Sequence, residues 1–273
     1  IPVLTFIRKT LGETCRVVCS LRDILVEKRD VEKYETRVID TLNSWFDAVL
    51  VHSDPKLIKL SATFSRLENI KIPIVYTGFV TPVPDAEKVR LIRQQTGLTK
   101  KGRLIVASAG GGNVGAPLLR SVALAFGQLS RPENIRIKVF TGPYMDREDK
   151  DFLYSLAGRG MEVAEFTRDF VSLLGAADLS ISMAGYNTCM NIVAARVPSL
   201  VWPFGLNREQ RERAQKIARF SPMTLLEDED LAPVKLSRVI EENLDRNAAG
   251  PEAQLDISGA ANTVKWIREN IKQ

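Results

Sequence analysis

Histidine and cysteine are the scarcest reactive side chains in this chain of 273 residues, with one and three copies. A single histidine nearly excludes a histidine-built metal centre, which needs several imidazoles at fixed spacing. The cysteines, Cys15, Cys19 and Cys189, are odd in number and lack metal-ligand spacing. They argue against a disulfide framework and for reduced thiols in a cytoplasm. No apolar run approaches the ~20 residues that a membrane-spanning helix needs. The net charge of +5 is scattered, and no zinc-finger, RNP or other nucleic-acid motif accompanies it, so a nucleic-acid partner is not expected. A basic surface does suit peripheral contact with anionic lipid. Internal repeats and low-complexity segments are absent. No Asp-X-Asp pair stands at a plausible strand end, so neither a divalent metal nor a cofactor is required.

What the chain does have is apolar material, 45% of its residues, enough for two cores. It also has two glycine turns set between strands and helices. One lies in Ser182-Met-Ala-Gly-Tyr-Asn-Thr-Cys-Met-Asn191, after the apolar run Asp178–Ser182 and before a second apolar stretch broken by Pro198. A strand, a glycine turn, a helix opened by small polar residues and a further strand make half of a nucleotide-binding unit. Free N–H groups at the helix start near Gly185, together with the positive end of the helix dipole, suit an anion such as a diphosphate. The other turn is Gly110-Gly-Gly-Asn-Val-Gly115. It follows the strand pattern 103–109 and precedes a helix with Leu118, Leu119, Val122, Phe126 and Leu129 at helical spacing. One glycine run is equally well explained as a tight turn. Two in one sheet are a stronger signal.

From residue 103 the chain alternates strand and helix. The strand patterns are 103–109, 135–141, 161–166, 178–182, 198–202 and 223–226; the helical ones are 114–129, 146–157, 169–175, 185–195, 207–219 and 230–246. This predicts a doubly wound parallel sheet. In the order 3-2-1-4-5-6 the first and fourth strands are neighbours, and both glycine turns then line one crevice at the carboxyl edge.

The stretch 103–215 resembles the carboxyl-terminal domain of the MurG-like glycosyltransferases, which have the GT-B fold and use UDP-sugars. The matching elements are the loop Gly110–Gly115, Glu165-Phe-Thr-Arg-Asp-Phe170, Ala184-Gly-Tyr-Asn-Thr188 and Pro203-Phe-Gly-Leu-Asn-Arg-Glu-Gln210. They occur in the family's order and near its spacing. Residues 72–80, Ile-Pro-Ile-Val-Tyr-Thr-Gly-Phe-Val, are similar to the end of the family's amino-terminal domain. The resemblance implies a nucleotide sugar as partner, transfer to an acceptor hydroxyl of unknown identity, and inversion at the anomeric carbon. It implies that Gly111, Gly112 and Asn113 face the diphosphate. Phe166 and Thr167 would hold the uracil ring, and Gly185, Tyr186, Asn187 and Thr188 would form the diphosphate cradle. Glu209 and Gln210 would meet the donor sugar. Asn191 stands where the family usually has a glutamate that grips the ribose, so the charge-assisted bond is replaced by an amide.

The resemblance also orders the domains. Residues 1–80 read as the second half of an amino-terminal acceptor-side domain. Residues 81–102 read as a linker with the helix Ala86–Gln95, and 103–255 as the nucleotide-sugar-binding domain. A terminal helix within 256–273 is expected to cross back to the first domain or to dock on its own, with Trp266 and Val264 or Ile267 as its anchor. The first domain has three strand patterns, 15–19, 47–52 and 73–76, and helical patterns at 2–11, 31–45 and 55–64. That is about half of an ordinary domain of ~100–150 residues, so the expectation is a missing amino-terminal segment or a partner chain. Donor binding without transfer is then expected of these residues alone. His52, after the strand 47–51, is the weak candidate for a catalytic base, and Arg22 and Asp23 stand at another strand end. Cys189 reads as a packing residue. Arg208, Arg211, Arg213, Lys216 and Arg219 read as a mostly solvated helix face. Two other classes stay open. One is a nucleotide-sugar hydrolase or epimerase with the same donor pocket. The other is a non-catalytic donor-binding subunit.

Overall fold

A computed structural model describes residues 2–22, 30–99, 101–111, 114–158, 160–205, 208–245 and 254–270. It divides into two units, Ile1–Thr81 with Leu255–Gln273, and Pro82–Gln254.

In the first unit, β1 (Val18–Leu21), β2 (Ala48–Val51) and β3 (Ile74–Tyr76) form a parallel sheet in that order. The central strand Ala-Val-Leu-Val is buried throughout, as a parallel strand covered on both faces must be. Helix α1 spans Pro2–Thr10, and α2 spans Val31–Trp45. The Asp30 side chain caps α2 by accepting from Lys33 N, and the helix turns Glu35, Ile39 and Leu42 inward on one stripe. Buried Glu35 is satisfied by hydrogen bonds from Ser65 N at 2.6 Å and Ser65 Oγ at 2.8 Å.

Two expectations are corrected here. The first strand starts at Val18 rather than at residue 15, because the chain before it is held by a side chain. Asp47 takes Val17 N at 2.6 Å and pairs with Arg8 and Arg16. The span 55–64 is not an α-helix; it is a run of turns with a 3-10 turn at Leu60–Ala62. Leu60 N bonds to the Tyr76 hydroxyl at 2.7 Å instead of to a helical carbonyl, and Ile58, Leu60 and Phe64 are buried at a spacing that no helix stripe has.

The second unit carries β4 (Arg103–Ser108), β5 (Ile135–Phe140), β6 (Met161–Ala164), β7 (Leu179–Met183), β8 (Ser199–Trp202) and β9 (Met223–Leu225). Their order is β6-β5-β4-β7-β8-β9, all parallel, which is the expected 3-2-1-4-5-6. The helices are α3 (Ala86–Gln95), α4 (Ala116–Phe126), α5 (Arg147–Ser155), α6 (Phe170–Ala176), α7 (Tyr186–Ala195), α8 (Arg208–Ile217) and α9 (Pro233–Asp245). Leu104, Ile105, Leu179, Ile181 and Leu200 are fully buried, each stabilising the fold by roughly 1.5–3 kcal/mol. At the amino end of the sheet, Asp178 accepts two bonds from Arg93, at 2.7 and 3.2 Å, and one from Leu104 N at 2.7 Å. This bidentate pair ties α3 to the β4–β7 pair at the edge opposite the glycine turns.

The last helix, α10 (Gly259–Asn270), belongs to the first unit. Gly259 N donates to Phe79 O, and Asn262 Nδ2 donates to Thr77 O at 2.8 Å. These polar contacts hold its first turn. Val264 and Ile267 are exposed and Trp266 is half-buried, while the helix start approaches backbone closely at Gly259.

Candidate functional site

Strands β4 and β7 run side by side with Ser108 opposite Ser182. The turns that leave them are therefore adjacent at the carboxyl edge, where the strand order reverses and α/β sheets bind ligands. Gly110 has φ +64, a left-handed conformation that lets the chain leave β4 at once. Gly111 follows, and its carbonyl accepts Tyr144 N at 2.9 Å. Gly112 and Asn113 lie outside the described residues. Gly115 stands before α4, where a Cβ would press on Ala109 and lie 3.1 Å from Met183 Sδ. Its smallness seats α4 over the end of β7.

Gly185 has a different role. Its φ of −63 and ψ of 145 suit any residue, and a Cβ there would meet only Thr188 Oγ1, at 3.8 Å. The fold does not require glycine at this position. What the missing side chain leaves is an open approach to the first turn of α7, where backbone N–H groups have no intrahelical acceptor.

A cavity of about 260 Å³ lies beside this helix start. Ser108 and Gly110 form one wall, and Thr188 and Asn191 on α7 form another. Glu165, Phe166 and Thr167, after β6, close the third side, and Phe140 and Phe170 complete the lining. The last two rings meet edge to face, 5.9 Å apart. Phe166 is 72% exposed, a large apolar ring left uncovered at the cavity. Lys150 holds Glu165 at 2.7 Å while donating to Pro143 O. A larger hollow of about 530 Å³ in the first unit is lined mainly by apolar side chains such as Leu21, Phe46 and Phe64 and gathers few polar groups. Volume alone does not select it.

The cavity thus brings together Phe166, Thr167, Thr188 and Asn191 of the sequence-derived set. Gly185, Tyr186 and Asn187 adjoin it on the same helix start. Glu209 and Gln210 do not line it; they sit on α8, where Gln210 Oε1 accepts Phe204 N at 3.2 Å. Ser108, Phe140 and Phe170 were not singled out from sequence, although the first two end strands and so stand where a ligand contact is expected. Cys189 is fully buried, and burial pushes its thiol up to about 12, so it is an inert packing residue. The solvated reading of α8 needs correction at Arg213. That guanidinium is buried and donates from Nη1 to Ala184 O at 3.2 Å, whereas Arg211 turns outward to Glu227. The side chain of Arg208 lies outside what is described.

His52, in the first unit, is buried between two hydroxyls, with Nε2 2.8 Å from Ser20 Oγ and Nδ1 2.8 Å from Thr77 Oγ1. These bonds link the ends of β1, β2 and β3 in one row. Burial pushes the imidazole below its ordinary value. Arg22 is exposed, and Asp23 lies outside the described residues. Among the described residues no group of three or more His, Cys, Asp or Glu side chains is placed to hold a metal ion, and no helix is long and apolar enough to cross a membrane.

The model of the glycosyltransferase family 28 C-terminal domain matches residues 107–270, more than half of the chain. The chain belongs to this family. A curated relative is the UDP-N-acetylglucosamine--N-acetylmuramyl-(pentapeptide) pyrophosphoryl-undecaprenol N-acetylglucosamine transferase of Xanthomonas axonopodis pv. citri (strain 306). It is 29% identical over 120 residues, which is 43% of this chain and 27% of that protein. The match thus spans about a quarter of the relative's length. Among solved structures, MurG of Acinetobacter baumannii aligns with 96% of this chain and 94% of its own at a TM-score of 0.55 and 16% identity. Anabaena HepE in complex with UDP-glucose aligns with 99% of this chain and 73% of its own at a TM-score of 0.52 and 13% identity. At such identities the likeness is one of fold, and that fold is GT-B. The family 28 match contains both glycine turns, the Glu165–Phe170 segment and α8, so every wall of the cavity falls inside it.

Proposed function

We propose that this family 28 chain binds the nucleotide of a UDP-sugar in the cavity beside α7 and serves transfer of the sugar to an acceptor hydroxyl, with inversion and without a metal ion. The observation that carries this reading is the convergence of Gly110, Phe166, Thr167, Thr188 and Asn191 on one cavity at the start of a helix. Two of the similar proteins point the same way, one named for UDP-N-acetylglucosamine and one solved with UDP-glucose. In this reading the uracil packs at Phe166, held through the backbone of Phe166 and Thr167. The Asn191 amide meets the ribose, and the amides of the α7 start and the Gly110–Asn113 turn take the diphosphate. Glu209 and Gln210 meet the sugar hydroxyls.

The chemistry follows from that placement. The acceptor oxygen bonds to the anomeric carbon, the bond from that carbon to the β-phosphate oxygen breaks, and the acceptor proton passes to a base. Negative charge grows on the departing diphosphate. Backbone N–H groups and the helix dipole are already oriented to stabilise it, the part that a divalent ion plays elsewhere. Free thiols and the net charge of +5 suit a cytoplasmic site against an anionic membrane surface.

The test is calorimetry with UDP, UDP-glucose, UDP-N-acetylglucosamine, ADP and GDP, joined to an assay of UDP release with and without sugar and lipid acceptors. Selective binding of uridine nucleotides is the expected result. Equal binding of ADP, or none of UDP, overturns the donor reading. Release of UDP without acceptor would assign hydrolysis instead of transfer.

A further inference from the structure

We propose that Ser20 is an activated nucleophile, with His52 as its base and Thr77 as the group that orients the base, and that it takes the acyl group of an activated ester. All three residues belong to the first unit, so the inference stands apart from the donor reading of the second. Ser20 is the last residue but one of β1 and is exposed. His52 directly follows β2, and Thr77 directly follows β3. The register sets Ser20 beside Leu50 and Val51 beside Tyr76. Side chains alternate along each strand, so Ser20, His52 and Thr77 come to one face of the sheet. They meet at its carboxyl edge, where parallel α/β sheets hold ligands. The two residues that fix the ring, His52 itself and Thr77, are buried, while the hydroxyl that would attack faces solvent.

Thr77 assigns the protons. Its hydroxyl has one proton, and two backbone carbonyls lie within its reach, Gly78 O at 3.3 Å and Val51 O at 3.4 Å. With that proton turned to a carbonyl, Thr77 Oγ1 presents a lone pair to His52 Nδ1 at 2.8 Å, and Nδ1 is the ring nitrogen that donates. Nε2 is then the acceptor of the neutral imidazole, and the Ser20 hydroxyl, 2.8 Å away, donates to it. Burial holds the ring on the neutral side, which keeps Nε2 basic in form. A hydroxyl bonded to a base that a third group orients is the arrangement that turns serine into a nucleophile. In the step it serves, Ser20 Oγ bonds to the ester carbonyl carbon and its proton passes to Nε2. The bond from that carbon to the alcohol oxygen breaks, and the alcohol leaves with the proton from Nε2. The products are an acyl-serine and an alcohol, and water attacking the acyl-serine returns the acid and the free hydroxyl.

The test uses a fluorophosphonate and p-nitrophenyl acetate on the 273-residue chain, folded and in urea, with adducts located by peptide mass spectrometry. With the fluorophosphonate, Ser20 Oγ bonds to phosphorus, fluoride leaves and His52 takes the serine proton. Ser20 in the folded chain should react about a hundredfold faster than in urea, the lower end of what a positioned base contributes. Ser20→Ala should carry no adduct at that position, and His52→Gln should fall to the urea rate. Thr77→Val, which keeps the shape and loses the acceptor for Nδ1, should slow labelling about tenfold, and Thr77→Ser should restore most of the rate. Circular dichroism checks that each variant is folded; if His52→Gln is not, the Thr77 pair decides. Equal rates at Ser20 in the folded and the urea-treated chain overturn the inference, as does labelling of a folded His52→Gln at the parent rate. Unchanged or faster labelling in Thr77→Val also overturns it, because Nε2 would then carry the ring proton. With p-nitrophenyl acetate, Ser20 should be acetylated as p-nitrophenol is released; fluorophosphonate labelling without acetylation overturns the acyl assignment.

Discussion

Gly142 packs directly under the turn at Gly110. A Cβ on Gly142 would overlap the carbonyl oxygen of Gly110 and lie 2.6 Å from the carbonyl carbon of Gly111. Gly142 also has φ +78, so its conformation and its surroundings both exclude a side chain. The loop after β5 thereby sets the height of the loop after β4, and with it one wall of the cavity.

Gly142→Ala should therefore destabilise the second unit by about 1–3 kcal/mol, combining left-handed strain with overlap of backbone atoms. It should also weaken UDP binding. Gly97→Ala is the control, because Gly97 has φ +64 but open space around its Cα. That variant should lower the melting temperature slightly and leave UDP affinity unchanged. Thermal unfolding and calorimetry on both variants test the claim.

Gly185 gives the opposite pattern. Since φ −63 and open space accept a side chain, Gly185→Ala should keep the melting temperature of the parent. Gly185→Leu should also fold, yet lose UDP affinity at least tenfold, about 1.4 kcal/mol or more. A loss of stability in Gly185→Ala, or full UDP affinity in Gly185→Leu, would move the diphosphate away from this turn.

Asn191 lines the cavity with Thr188. Asn191→Glu should tighten UDP by about 1 kcal/mol through a charge-assisted bond to the ribose hydroxyls. The 2′-deoxy analogue of UDP should gain less. An equal gain for both nucleotides would mean that the carboxylate acts somewhere other than the 2′-hydroxyl.

His52 gives a pH signature. Burial holds its folded value below the unfolded value of about 6.5. The unfolded chain therefore binds more protons in the window beneath 6.5. The contribution of His52 to stability is complete above that pH and is lost as pH falls towards the folded value. This is the only histidine in the chain, so urea unfolding of the parent and of His52→Gln between pH 7.5 and about 5 isolates its share. The parent should lose stability over this range more steeply than His52→Gln; parallel curves would refute the assignment.

Gly259→Ala should loosen α10 from the first unit. A Cβ there would overlap the Gly78 carbonyl and lie 2.7 Å from the Phe79 carbonyl carbon. A fall in stability of about 1–3 kcal/mol is expected. Hydrogen exchange should rise at Asn262 and along the first turn of α10, while exchange in β4 and β7 stays slow.

Much of the second unit can be read without coordinates. Alternating apolar strands and amphipathic helices imply a parallel sheet, right-handed crossovers restrict its order, and the glycine turns at 110 and 185 mark the strand ends that meet at the reversal. Phe166, Thr167, Thr188 and Asn191 are legible through the resemblance of 103–215 to the family's carboxyl-terminal domain, and the first two also closely follow β6. The limits of that legibility have one origin. Periodicity marks 55–64 as a helix, but the Tyr76 hydroxyl claims the Leu60 amide. The helical pattern of 207–219 reads as a mostly solvated face, but the carbonyl of Ala184, 29 residues away in sequence, accepts a hydrogen bond from Arg213.

By itself, then, the sequence determined the class of fold, the strand order of the larger unit and the two turns that face each other, because these depend on short-range patterns of polarity and on the conformational freedom of glycine. Only the tertiary structure decided that Phe140 and Phe170 join the cavity, that Gly142 supports Gly110, that Ser20, His52 and Thr77 share one row of hydrogen bonds, and that Arg213 lies behind α7. Each of these is a contact between segments distant in the chain, and no local pattern encodes which distant group satisfies a buried donor, carbonyl or charge.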